Sequence, residues 1–393
     1  ALVAVPAKRQ AAGTVPVDEA IVARVRLHDG RTLPFWRADW VRQQYLPGTD
    51  VLRTVARFGG KRVVRQIGSA AAVREDRRWL GGARPLGAGA PPWARAMYRR
   101  SLLVLRALTD RHTGAVVAGA RDGWAYVWPR DAAAVALALV DAGYGPEAHR
   151  VARFLTGLDL NAAARFRGSG APVPGRGAQG DAAGWVAAAA RAAGLGARPI
   201  RDRWRERVDY QEGDAGDYLG NAIASGVGAA AIRKLFSSPR GLARTAGDPA
   251  SGPDSAAAWA IRPFPRPALF PAIRRTLLRL VAQRGSRFGI VPSEHWPGGD
   301  DPWTAPTAWT AWAFAALARE GDEGQTRGAI AREDRRAALR LMAALRRAAT
   351  PLGLLPERVD AQTGLPTSTT PLAWSHAFAI LALRELWPRR AGD

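Results

Sequence analysis

Two glutamates, Glu212 and Glu357, stand where a carboxylate could meet a substrate. Glu212 closes the acidic stretch Asp209-Tyr210-Gln211-Glu212-Gly213-Asp214, which is dense in negative charge within a strongly basic chain. It lies between an amide and a glycine just before a helical run, a place where partial burial would suit a general acid. Glu357 emerges from Leu354-Leu355-Pro356, a constrained apolar segment. Taken alone, Glu212 reads also as a solvated loop charge or a helix cap, and Glu357 reads as a surface charge before a functional one. Set together on opposite sides of one pocket, they are the pair that glycosidic hydrolysis requires.

A third segment could hold the sugar. Asp122-Gly123-Trp124-Ala125-Tyr126-Val127-Trp128-Pro129-Arg130-Asp131 runs into an alanine-rich helix. Pro129 suits a first helical turn, and Asp131 suits the positive end of the helix dipole. Arg130 and Asp131 are then a local cap pair, or a guanidinium and a carboxylate offered jointly to vicinal hydroxyls. Gln179-Gly180-Asp181 precedes the helix carrying Trp185, and Asp301-Pro302-Trp303 precedes another; both stretches also read as helix starts. Trp374-Ser375-His376 opens the last helix, where His376 reads as a structural histidine before a catalytic one.

Composition narrows the classes. The 393 residues hold no Cys, so disulfides, thiolate metal sites and cysteine nucleophiles are excluded. Five histidines without an HExxH spacing disfavour a histidine metal site, and no cofactor is expected. No apolar run is long enough to cross a bilayer. The chain does not begin with Met, which leaves localisation open between the cytoplasm and export by a signal outside this sequence. The formal charge of +23 suggests nucleic acid, but only Lys8, Lys61 and Lys234 are lysines, and the arginines are scattered without a zinc-finger or arginine-tail pattern. A specific nucleic-acid partner is not expected. The fifteen tryptophans are the stronger anomaly. Indole faces can pack against sugar rings, although large core aromatics explain some of them equally well.

The elements that must position these residues fall into three stretches. Residues 1–62 read as β-rich, with a hairpin from 19–27 to 31–36 around His28-Asp29-Gly30 and a weak strand at 61–67. Residues 63–92 read as a linker. From 93 onward helical periodicity recurs at 93–108, 130–142, 145–157, 179–193, 217–236, 253–260, 267–284, 304–319, 330–348 and 371–387. The connections are long and polar, and 321–333 reads as an exposed loop. This pattern suits a ring of antiparallel helix pairs whose long loops shape a pocket, and no solenoid period is found.

The stretch from Tyr98 to Thr109, followed by Thr113 to Ala118, resembles the opening of the catalytic domain in bacterial glucoamylase-like glycoside hydrolases of family 15. Trp124 to Asp131 resembles that family's Trp-x-Tyr-x-Trp-x-Arg-Asp motif, and Leu355 to Val359 with Pro371 to His376 resembles its general-base segment and final helix. The resemblance covers about residues 93–388. It implies an (α/α)6 toroid behind an N-terminal β-sandwich, here curtailed to a small β-rich region. It also implies Glu212 as general acid, Glu357 as general base, and Arg130 and Asp131 as contacts to the non-reducing sugar. Tyr126, Trp128, Gln179, Asp181, Trp185, Tyr210, Gln211, Trp303 and Trp374 complete the expected substrate-binding set. Gln211 departs from the pattern, which has Trp before the acid.

The activity implied is inverting, exo-acting hydrolysis of α-glucosidic bonds in glucans or oligosaccharides, with no metal or cofactor. The alternatives are a dextran- or trehalose-directed relative, a saccharide binder that has lost turnover, and an enzyme for polyanionic saccharides.

Overall fold

The computed structural model describes residues 2–5, 22–26, 32–34, 37–58, 60–67, 69–121, 123–196, 204–320 and 325–389. Two three-stranded antiparallel sheets come first. One joins β1 (Leu2–Val5), β2 (Val22–Arg26) and β3 (Thr32–Pro34); the other joins β4 (Trp40–Tyr45), β5 (Leu52–Phe58) and β6 (Lys61–Ile67). β2 and β3 form the expected hairpin, although its Asp29-Gly30 turn and Asp122 of the aromatic motif lie outside the described residues. β4 and β5 are strands that the sequence reading did not mark.

The stretch read as a linker contains a helix, α1 (Ala70–Gly81). Ser69 caps it by accepting from the Ala72 N–H at 3.1 Å, and Trp79 near its end stacks on Tyr144 at 4.1 Å. The arginine-rich run between cap and tryptophan hides the narrow apolar face that makes it helical.

The remaining helices are α2 (Pro92–Ala107), α3 (Pro129–Ala142), α4 (Gly145–Thr156), α5 (Ala182–Ala192), α6 (Leu219–Ala224), α7 (Ala229–Phe236), α8 (Phe270–Arg284), α9 (Thr304–Glu320), α10 (Gln325–Ala348) and α11 (Ala373–Leu386). The expected run 217–236 is split into α6 and α7 around Gly226, and 253–260 is a 3-10 segment at Ser255–Ala260. Residues 325–329, ahead of the expected helix 330–348 and read as loop, also belong to α10, whose exposed Arg332 and Glu333 blur the helical period at its start.

Six segments close into a ring. α3 packs on α5, α5 on α6, α6 on Ser255–Ala260, that segment on α9, α9 on α11, and α11 back on α3. Each is buried nearly all round, whereas α4, α7 and α8 bury a single stripe. The ring is therefore an inner layer, and α2, α4, α7, α8 and α10 alternate with it along the chain as the outer layer. This is the (α/α) toroid. The outer position between α5 and α6 carries no helix among the described residues, which accounts for a helix count short of twelve.

Composition explains the two layers. Inner helices are crowded on every side and are correspondingly rich in alanine, as in α5 and α9. At Gly184 of α5, even one Cβ would come within 2.0 Å of the Ala224 carbonyl oxygen. The space left at the axis is filled by aromatic rings meeting edge to face. Trp185 meets Trp259 at 5.2 Å, Trp259 meets Trp309 at 5.5 Å, and Trp309 meets Trp374 at 5.3 Å. Such pairs contribute about 0.5–1.5 kcal/mol each beyond the burial of their area. Much of the tryptophan load is thus the toroid's own filling.

Candidate active site

The inner segments all begin at the same end of the toroid, and the expected site residues sit at or just before those beginnings. Trp128 to Asp131 start α3, Gln179 to Asp181 lead into α5, and Tyr210 to Glu212 precede α6. Trp303 precedes α9, and Glu357 and Trp374 serve α11. Short bridges bind the loops to one another. Val127 and Phe166 exchange backbone hydrogen bonds at 2.8 Å in each direction, Gln179 pairs with Val208, and Trp303 pairs with Arg358. The N-terminal halves of the inner helix dipoles therefore converge on one place, an environment that favours negative charge.

A pocket opens there, lined by Trp124, Trp128, Arg130, Asp131, Arg176, Tyr210, Gln211, Glu212, Trp303, Glu357 and Trp374, with Ala118, Gly123 and Leu372. Glu212 and Glu357, 145 residues apart in sequence, share it. Glu212 is held from two sides: Oε1 accepts from Trp128 Nε1 at 2.6 Å and from Gln179 Nε2 at 3.0 Å. Oε2 faces the Arg176 guanidinium in an ion pair. The backbone of Glu212 is left-handed, with φ at +57°, a conformation that costs on the order of 1–3 kcal/mol outside glycine.

The turn beneath it shows what sustains that strain. Asp209 accepts from the Gln211 N–H at 3.0 Å and from Arg244 Nη2 at 2.7 Å, and Arg244 Nε reaches Asp254 at 3.1 Å. Gln211 is bound on both sides of its amide. Its Nε2 donates to Asp254 at 2.7 Å and to Tyr210 at 3.0 Å, while its Oε1 accepts from Ser293 at 3.2 Å. The residue that departs from the family pattern thus belongs to the scaffold behind the acid. Burial pushes the Asp254 carboxyl up to about 7 against the pull of Arg244.

Glu357 lines the same pocket. Its Oε1 accepts from Trp124 Nε1 at 3.4 Å, Ser368 donates to Oε2, and Arg358 Nε lies 3.9 Å from Oε2. Its backbone is tied to Thr369 and Thr304 by hydrogen bonds of 2.9 and 3.0 Å. Two residues earlier, Leu355 donates its N–H to His376 Nε2 at 2.9 Å. Because Nε2 accepts, the neutral ring carries its proton on Nδ1 and donates to Ser101 Oγ at 2.9 Å. His376 is structural, and burial, with Arg100 adding to it, depresses its pKa to about 3.

Arg130 and Asp131 lie in the interior of the pocket. Arg130 Nη1 donates to Gln179 Oε1 at 2.7 Å and to Asp181 Oδ2 at 3.0 Å, and Nη2 stands 3.3 Å from Asp131 Oδ1. Burial raises the Asp131 carboxyl to about 7; Arg130 opposes the rise, and Asp181 and Glu357 add to it. Among the described residues Arg130 Nε has no hydrogen-bond partner, and Asp131 Oδ1, equally buried, faces only the Arg130 guanidinium.

Nine of the expected site residues line the pocket: Trp128, Arg130, Asp131, Tyr210, Gln211, Glu212, Trp303, Glu357 and Trp374. Gln179 and Asp181 stand one layer behind, gripping Arg130, and Tyr126 lies under Arg165 at 4.9 Å. Trp185 is not a wall of the pocket. It is 0% exposed and packs edge-on against Trp259, Phe264 and Phe378 in the core, because its position in α5 faces the axis. Sequence reasoning missed Trp124, Arg176 and Ser368 as site residues. Trp124 begins the motif already quoted and was legible there; Arg176, in the Pro174-Gly175-Arg176-Gly177 loop, carried no signal.

A family model described as Glycosyl hydrolases family 15 matches residues 92–163, which include the Trp124–Asp131 segment. Solved structures extend the likeness over most of the chain. A glycosidase solved as a glutamate-to-alanine variant aligns with a TM-score of 0.61 and 18% identity, covering 76% of this chain and 99% of its own. A glucoamylase from Saccharomycopsis fibuligera aligns at 0.63 and 13%, covering 75% and 94%. A bacterial glucoamylase complexed with acarbose aligns at 0.57 and 18%, covering 80% of this chain and 58% of its own length. No curated protein sequence matches the chain. Its fold is the one that these glycosidase and glucoamylase structures share.

Proposed function

We propose that this protein is an inverting glycoside hydrolase that removes glucose from the non-reducing ends of α-linked glucans or oligosaccharides. The observation that carries the reading is the meeting of Glu212 and Glu357 in one pocket, each carboxylate steadied by a tryptophan N–H, with the Arg130–Asp131 pair in its interior. Glu212 protonates the leaving oxygen. Glu357 draws a proton from a water on the opposite face of the sugar, so the new C–O bond forms with inverted configuration. Arg130 and Asp131 hold hydroxyls of the terminal sugar, and Trp128, Trp303 and Trp374 enclose its ring. Buried charged groups in the pocket interior favour action on chain ends over mid-chain cleavage. The fold shared with glucoamylases supports the same assignment by analogy.

The test is glucose release from maltose, isomaltose, trehalose, soluble starch and dextran, with the anomer of the first product recorded. β-Glucose is expected first from α-linked substrates. Glu212→Gln and Glu357→Gln should each lower kcat by about 10²–10⁴-fold. Initial α-glucose, or full activity in both variants, refutes the assignment.

A further inference from the structure

Arg176 occupies the one carboxylate oxygen that Glu212 has left. Oε1 is taken by Trp128 and Gln179, so a leaving oxygen must approach Oε2, where Arg176 sits. To act as the acid, Oε2 must aim its O–H at the leaving oxygen, and the guanidinium, which carries only donors, stands in that approach. Arg176 is also the group best placed to yield: its side chain is 44% exposed, against 20% for Glu212.

Its surroundings are positive. Arg165 stands 5.6 Å from the Trp128 ring and Arg176 stands 5.9 Å from the same ring. Arg121 lies over Trp124 at 5.8 Å, and Arg358 borders Glu357. The arginines deeper in the site are matched by structural carboxylates: Arg130 by Asp131 and Asp181, Arg244 by Asp209 and Asp254. Arg165 has no carboxylate partner among the described residues; it donates to the Gly123 carbonyl at 3.4 Å, and its buried Nε has no hydrogen-bond partner in the protein. Among the described residues Arg176 forms an ion pair with Glu212 alone and also feels the charge of Glu357, so both carboxylates acting on it belong to the site.

We infer that the natural substrate carries an anionic group on the sugar that leaves, and that Arg176, with Arg165 beside it, swings off Glu212 to receive that group. The inference rests on the hydrolase reading and narrows its substrate class. A carboxylate of a uronate and a phosphate ester both offer oxygens that match a guanidinium fork. A neutral saccharide offers Arg176 no anion to draw it away, so the guanidinium stays on Glu212 and turnover is slow. Substrate charge thereby frees the acid.

The experiment compares three disaccharides: maltose, its analogue with glucuronate at the reducing end, and its analogue phosphorylated on the reducing-end sugar. Affinity is measured by calorimetry in the Glu357→Gln protein, and turnover in the wild type. Two charge-assisted hydrogen bonds predict binding about 10- to 100-fold tighter for at least one anionic analogue, weakening with added salt. The analogue that gains more identifies the anion. Arg176→Gln should abolish most of that gain and raise kcat/KM on maltose, because the acid is released. Unfolding midpoints of the variants confirm that the exposed substitution leaves the fold intact. Equal affinity for all three sugars, or a gain that survives Arg165→Gln/Arg176→Gln, overturns the inference. Glucose release without anion preference sinks this inference alone; anion preference without glucose release refutes the hydrolase reading and, with it, the role of Arg176 in freeing the acid.

Discussion

His376 ties the first helix of the toroid to the segment carrying Glu357, and it does so only as a neutral ring. In the unfolded chain its pKa is the ordinary 6.5, and burial lowers it to about 3 in the folded protein. Between those values the unfolded chain binds the proton and the folded chain does not. Stability must therefore fall as pH drops below 6.5, by about 1.4 kcal/mol per pH unit, until the folded ring titrates near 3. At pH 4.5 the cost is about 2.7 kcal/mol, a large share of an ordinary domain's stability. The assay is urea unfolding followed by tryptophan fluorescence from pH 7.5 to 4.5, in wild type and His376→Gln. The buried Asp131 and Asp254, with pKa values raised to about 7, act with the opposite sign, but equally in both proteins. The difference between the two curves isolates the histidine. If wild type and variant lose stability in parallel, His376 is not held neutral and the hydrogen-bond assignment through Nε2 is wrong.

Other outcomes follow from the same coordinates. Arg244→Met leaves Asp209 and Asp254 buried without their cation, so it should cost about 3–5 kcal/mol near pH 7.5, less near pH 5.5 where Asp254 takes up a proton, and Asp254→Asn should recover part of the loss in urea titrations. Gly184→Ala drives a methyl into the Ala224 carbonyl and should lower stability by about 1–3 kcal/mol, seen as a lower melting temperature with unchanged far-ultraviolet circular dichroism at 25 °C. Gln211→Leu removes the amide that joins Asp254 to Ser293; it should cost about 1–3 kcal/mol and lower turnover through the misplaced Glu212 turn, without abolishing binding of a disaccharide.

The inner helices were legible because their apolar character is unbroken, and the outer ones because a single stripe repeats every three to four residues. α1 and the start of α10 were hidden by arginine and acidic side chains facing solvent, which blur the stripe that periodicity detects. Glu212, Glu357, Arg130 and Asp131 could be picked out because each stands at a discontinuity: a proline, a glycine, or the first turn of a helix. Trp185 misled because residue type says that an indole is present, not which way a helix turns it. Arg176 was invisible in a chain rich in arginine; only the oxygen it touches distinguishes it.

The hydrogen bond between Ser101 and His376 spans 275 positions of the chain. Every other seam between neighbouring inner segments joins stretches that follow one another closely, but the seam of α11 on α3 joins the beginning to the end. A polypeptide emerging from the ribosome can stack five staves in order and still present two raw apolar edges, because the sixth is translated last. Such late closure is slow and leaves greasy surface bare in the meantime. Clipping within α11 would therefore not shorten the toroid but spring it open, and the segment before Glu357 would lose the anchor that His376 gives Leu355.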